Sequence, residues 1–152
     1  MSGSLVSRAY ELALELVDKT ALTSSQFRNY FGELRIIYND FAERRVSWDE
    51  TRLRLELLLA RLAYGTRRKG GVPRELFEVL AEMLKDVIET DAEKGPTLLE
   101  GAMRQVEAIL ALFYPLRDLK DEIENHNRKR ENRHNPRDFR KEAELFFGRL
   151  LK

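Results

Sequence analysis

The amino-acid sequence predicts an all-α fold, a five-helix bundle followed by a charged, helical C-terminal extension. Three observations predict it. Apolar residues recur every three or four positions in successive segments, and no segment shows the period-two alternation of a strand. The composition leans to Leu, Glu, Arg and Ala, with four prolines and eight glycines in 152 residues, which favours helix. Capping and breaking residues fall between the periodic segments. A chain of this length buries a proper hydrophobic core in one domain.

The first helix is expected over residues 5–19, with Leu5, Ala9, Leu12 and Leu16 on one stripe. Thr23-Ser24-Ser25-Gln26 is a capping-box pattern: a Thr or Ser hydroxyl accepts from the orphan amides, and the Gln side chain reaches back. It starts a second helix that carries Phe27, Tyr30, Phe31, Leu34, Ile37, Tyr38 and Phe41 on its core face. Ser47 or Asp49 caps a third helix around Trp48. That helix is Leu-rich from 53 to 62 and apolar over most of its circumference, so it is expected to be the central one. Gly70-Gly71 breaks the chain, and Pro73 is placed to open a fourth helix with Leu76, Phe77, Leu80, Leu84, Val87 and Ile88 inward. Gly95-Pro96 makes the next break. A fifth helix then carries Leu99, Met103, Val106, Ile109, Leu110 and Phe113 up to Pro115, which lacks an amide donor and should kink or end it.

Past that point charges dominate. We therefore divide the chain into a helical bundle domain, 1–116, and a basic C-terminal extension, 117–152. In the extension Arg128, Lys129, Arg130, Arg133, Arg137, Arg140 and Lys141 outnumber Glu131 and Asp138. It is expected either to pack on its own bundle as a helix, or to bind RNA or a neighbouring subunit with Phe146 and Phe147 as anchors. The amphipathic end, 145–151, makes self-association plausible.

Composition narrows the function. With no cysteine there are no disulfides, thiolate nucleophiles or cysteine-ligated zinc, in keeping with a reducing cytosol. No apolar run near the start is long enough for a signal peptide or a membrane span, so a cytoplasmic protein without membrane contact is expected. His126 and His134, the only histidines, lack the i, i+4 spacing of a helical zinc site. Glu75, Glu78, Glu82 and Asp86 share one helix. Acids so spaced hold magnesium in some helical nucleotide hydrolases, but no matching pair is evident on another helix, and a solvated acidic face near the helix N-terminus explains them. No phosphate loop or nucleophile elbow is present. The expectation is no catalytic residue, no metal site and no cofactor.

Net charge is +1, so affinity for a polyanion must come from how charge is arranged. Arg54, Arg61 and Arg68 are spaced by seven, about 21 Å in all along a helix. Arg67 and Lys69 extend that stripe into the Gly70-Gly71 turn, and Arg28 and Arg35 repeat the spacing on the second helix. Antiparallel packing of the two helices would bring Arg28 toward Arg67 and Arg68 and concentrate guanidinium groups, which bind phosphate bidentately. The alternative is a solvated face. Tyr64 beside the cluster is placed either to stack on a base or to pack in the core.

Leu22-Thr23-Ser24-Ser25-Gln26-Phe27-Arg28 resembles the Leu-Thr-Thr-Ser-Gln-x-Arg signature of the small subunit of type III-A CRISPR (Csm) effector complexes. Ala63-Tyr64-Gly65-Thr66-Arg67 and the segment from Val106 to Tyr114 are similar to two further helix ends of that family, in the same order. The resemblance spans residues 22–114. It implies an antiviral-defence protein, a small non-catalytic subunit assembled in copies along the crRNA-bearing backbone. Such a subunit lines the path of crRNA and target RNA, and cleavage belongs to the backbone and large subunits. Carried over by motif position, the RNA-binding residues are Gln26, Arg28 and Arg67; Arg35, Arg54, Arg61, Arg68 and Lys69 join them from the stripe. The expected partners are crRNA and target RNA, the backbone and large subunits, and copies of itself. The family bundle usually stops soon after its last helix, so the 117–152 extension is a departure. The rival reading is a helical protein–protein adaptor with no nucleic-acid role.

Overall fold

The computed structural model describes residues 5–148. Arg149, Leu150 and Leu151, part of the amphipathic end, lie outside the described residues. The chain forms α1 (Leu5–Lys19), α2 (Ser24–Ala42), α3 (Trp48–Gly65), α4 (Arg74–Glu89), α5 (Gly95–Arg128) and α6 (Phe139–Gly148), with one short 3-10 turn, Arg130–Asn132. There is no strand among the described residues.

Local chemistry starts the helices where expected. Thr23 accepts from the Gln26 amide at 3.1 Å, and its own amide donates to Gln26 Oε1 at 2.9 Å. This closes the capping box of α2 and satisfies donors that helix geometry leaves orphaned. Ser47 caps α3 by accepting from Glu50 N. Pro73 stands just before α4 and Gly95-Pro96 opens α5. On α1 the buried stripe is Ala9, Ala13, Leu16 and Val17, while Leu5 is exposed. Small alanines on this face permit a close approach to α5, against which α1 packs.

The central helix is α5 rather than α3. It packs against α1, α2, α4 and α6, whereas α3 packs chiefly on α2 and α4. The Leu content of α3 misleads because much of it faces outward: Leu53 is 48% exposed and Leu57 60%. α2 runs antiparallel to α5, with Phe27 edge-on to Phe113 (centroids 5.1 Å apart) and Arg35 reaching Glu107. It is also antiparallel to α3, because Asp40 pairs with Arg54 and Glu33 with Arg61. Trp48 packs so closely on Gly95 that an added Cβ there would fall 2.1 Å from the indole.

Pro115 does not end its helix. α5 continues through it for 34 residues, so the boundary drawn between 116 and 117 falls inside a helix. Proline at this site forfeits one backbone hydrogen bond, while Phe113 and Leu116 beside it are fully buried. Tertiary burial thus favours continuity. Beyond Pro115 the helix does structural work. Lys120 Nζ donates to Val17 O and Asp18 O, and Arg117 to Thr20 O, satisfying carbonyls left open at the end of α1.

The extension folds back on the bundle. Phe139, Ala143 and Phe147 are buried, and Phe147 meets Tyr10 with ring centroids 5.9 Å apart. Arg140 Nε donates to Asp18 at 2.7 Å, and Arg137 pairs with both Glu142 and Glu122. The hydrogen bond from Arg140 holds Asp18 below its usual range, and that from Arg137 does the same for Glu142. Groups lowered in the fold stabilise it above their unfolded pKa. These anchors are therefore intact at neutral pH and weaken only as pH falls through the carboxylate range. Of the two phenylalanines expected as docking anchors, Phe147 is internal, while Phe146 is 66% exposed beside Leu145 at 67%.

If the extension shares the cooperative unit of the bundle, Phe147→Ala lowers the stability of the whole chain by about 3 kcal/mol, in one unfolding transition. Thermal unfolding followed by circular dichroism checks this. An unchanged main transition would make the extension an independent appendage.

Candidate nucleic-acid interface

The eight residues expected to contact RNA do not form one stripe. Arg54 and Arg61 lie in the α2–α3 seam and are paired: Arg54 with Asp40 (2.9 Å) and Glu50 (3.2 Å), Arg61 with Glu33 (3.0 Å). α3 carries little acid of its own there, but α2 supplies it. Arg35 is on the other flank of α2, bonded to Glu107 at 2.8 Å and placed over the Phe31 ring. At about 100° per residue, Arg28 and Arg35 lie roughly 140–160° around α2 from Glu33 and Asp40. The expected approach of Arg28 to Arg68 therefore brings the two to one end of the bundle but not to one face. Gln26 is half-buried and engaged in the capping box.

What remains is a cluster at that end. Arg28, Arg67, Arg68 and Lys69 are all exposed, and none has a carboxylate partner among the described residues. Arg28 sits over the Tyr114 ring, 5.7 Å from its centroid, and Arg68 over Tyr64 at 4.9 Å. Tyr64 is 62% exposed, so it is not a core residue. With Arg68 it offers a flat cation–aromatic surface.

The turn holding Arg67, Arg68 and Lys69 is built by glycine. Gly65 O accepts from both Arg68 N (3.2 Å) and Val72 N (3.1 Å), and Gly71 N donates to Arg68 O (3.0 Å). Gly70 has φ +74, the left-handed region that glycine enters at little cost. A Cβ on Gly71 would fall 2.3 Å from Gly65 O. Buried Val72 pins the turn to the core, so the three cations project from a fixed backbone. Tyr114 and the exposure of Tyr64 were missed by sequence reasoning, since periodicity does not tell which end of a helix a neighbour leaves open.

The acids of α4 have a different setting. Glu75, Glu78 and Glu82 line a groove between α4 and α1 with Arg8 and Glu15, and Glu78 pairs with Arg74 at 3.3 Å. No group of three or more His, Cys, Asp or Glu is placed to hold a metal among the described residues. Nor is any described helix long and apolar enough to cross a membrane.

No curated protein and no solved structure matches the chain. The profile of the Csm2 Type III-A family matches residues 2–114, from the start of the bundle to Tyr114, where the Arg28 contact lies. Three quarters of the sequence thus fits one family, and the remainder is the second half of α5 together with the turn and α6; the chain belongs to the Csm2 Type III-A family, the small subunit of type III-A CRISPR effector complexes.

Proposed function

We propose that this subunit is non-catalytic and binds the phosphate backbone of crRNA or target RNA through Arg67, Arg68, Lys69 and Arg28 while it assembles with the other effector subunits. The observation that carries the reading is the fixed, solvent-facing turn of three uncompensated cations next to exposed Tyr64, in a chain of this family. Guanidinium and ammonium groups track a polyanion without reading sequence, which suits a complex whose sequence recognition rests on base pairing. Tyr64 adds a stacking surface for an unpaired base. Arg35, Arg54 and Arg61 are near neutral as sites because their charges are already matched, and they belong to the bundle's framework. Partner contact is assigned to the α2–α3 face, where Ile36, Leu53 and Leu57 are exposed between ion pairs, an apolar centre with a charged rim.

The isolated chain is expected to bind unstructured single-stranded RNA weakly. Its affinity should fall as salt rises, with about 0.7 of log–log slope for each phosphate contacted. Fluorescence anisotropy over a potassium chloride series measures the slope. Binding absent at low salt would overturn the reading. Pull-downs recovering only protein, and unaffected by nuclease, would then favour the adaptor.

A further inference from the structure

α5 does not stop where the bundle stops. From Tyr114, level with Arg28, it runs fourteen more residues to Arg128, about 21 Å at the helical rise. There the chain makes a tight turn before α6. Residues 128–134 read Arg-Lys-Arg-Glu-Asn-Arg-His, and this segment lies outside the family match.

The turn is locked from within. Lys129 N donates to His126 O, Asn132 N to Lys129 O and Arg133 N to Arg130 O. Asn132 Nδ2 donates to His126 O at 3.1 Å. Asn127 and the Arg137 backbone exchange two hydrogen bonds, of 2.9 and 2.8 Å, and Arg137 is clamped by Glu142 and Glu122. The asparagines and Arg137 close the turn, while Arg128, Lys129, Arg130 and Arg133 remain exposed. Arg128 bonds only a backbone carbonyl, and the other three have no carboxylate partner among the described residues.

Counter-charge for the end of α5 does not explain them. A helix C-terminus presents roughly half a negative charge, whereas residues 128–134 hold four cations and one acid, 4 − 1 = +3. Holding like charges together on a rigid frame is unfavourable until an anion joins them. The segment 128–135 has no apolar side chain, so it lacks the apolar anchors on which protein interfaces are centred. Guanidinium forks without apolar neighbours suit phosphate.

We propose that the tip of α5 is a second contact for the RNA phosphate backbone, formed by Arg128, Lys129, Arg130 and Arg133. It extends the path of the strand beyond the Arg28 end of the bundle. This rests on the RNA reading of the Arg67–Lys69 turn, and the test separates the two. The full chain carrying Lys129→Gln, Arg130→Gln and Arg133→Gln is compared with wild type and with a control of equal charge loss, Arg8→Gln, Lys85→Gln and Lys94→Gln. The probe is a single-stranded oligouridylate read by anisotropy across a salt series. The tip variant is expected to bind about 10-fold or more weakly at low salt, with the log–log slope shallower by about 2 (three contacts at 0.7 each), and the control close to wild type. A tip variant matching wild type or the control overturns the second contact while the Arg67–Lys69 reading stands. Loss of polyglutamate binding with RNA affinity intact would assign the tip to an acidic protein surface instead, and a wild-type chain that binds no RNA overturns both readings.

Discussion

Replacing Arg67, Arg68 and Lys69 together with glutamine is expected to weaken RNA binding about 100-fold at low salt. That is roughly 1 kcal/mol for each charged contact with phosphate. The three project from a turn whose backbone is fixed by Gly65, Gly70 and Gly71, so little side-chain ordering beyond their own is needed to engage a strand. The informative comparison is Arg54→Gln with Arg61→Gln, which removes as much formal charge per residue from a nearby face. Those guanidiniums already satisfy Asp40, Glu50 and Glu33, and RNA affinity should stay within about threefold. The double variant instead gives up exposed ion pairs, each of about 0–1 kcal/mol. Anisotropy titrations and denaturant melts of both variants make the check. Equal losses of RNA affinity would show that net charge, not placement, governs binding.

Phe113→Ala should be the most damaging single truncation in the bundle, at about 3–5 kcal/mol. Phe113 is fully buried on α5 and stands edge-on to Phe27 of α2. Truncation removes both the transfer term and the aromatic pair, and the straight, crowded α5 cannot move to fill the gap. For a chain of this size the melting midpoint should fall by about 10–15 °C. The denaturant m-value should hold, since the unfolded state exposes the same surface otherwise. A loss below about 1 kcal/mol would mean that the α2–α5 contact is not where the core is concentrated. The consequence is also functional, since this contact positions Arg28 over Tyr114.

Much of the architecture was legible because local chemistry specified it. The capping box at Thr23, the Ser47 cap, Pro73 before α4 and Gly95-Pro96 at α5 each act within a turn of helix, so the residues alone suffice. Two expectations failed for reasons of context. α3 looked central from its leucines, but hydrophobic content does not say how many neighbours a helix has, and α5 has the more. Pro115 looked like a stop, yet the penalty at one proline is small beside the burial of Phe113, Leu116 and Ile123 on the same continuous helix.

The arginine stripe shows where local reading runs out. Spacing by seven correctly puts Arg54 and Arg61 on one face of α3, but their acids are on α2, and the partner of Arg35, Glu107, is 72 residues away. Charge compensation across helices depends on packing geometry, which periodicity does not encode. The sequence by itself determined that the chain is helical, where its helices begin, and, through its motifs, which family it resembles. Only the tertiary structure decided which cations stay unmatched and that the extension turns back onto α1 and α5. The physical reason is range: caps and breaks act over one turn of backbone, whereas the neutralisation of a charge or the covering of an apolar face depends on residues that meet only after the bundle has closed.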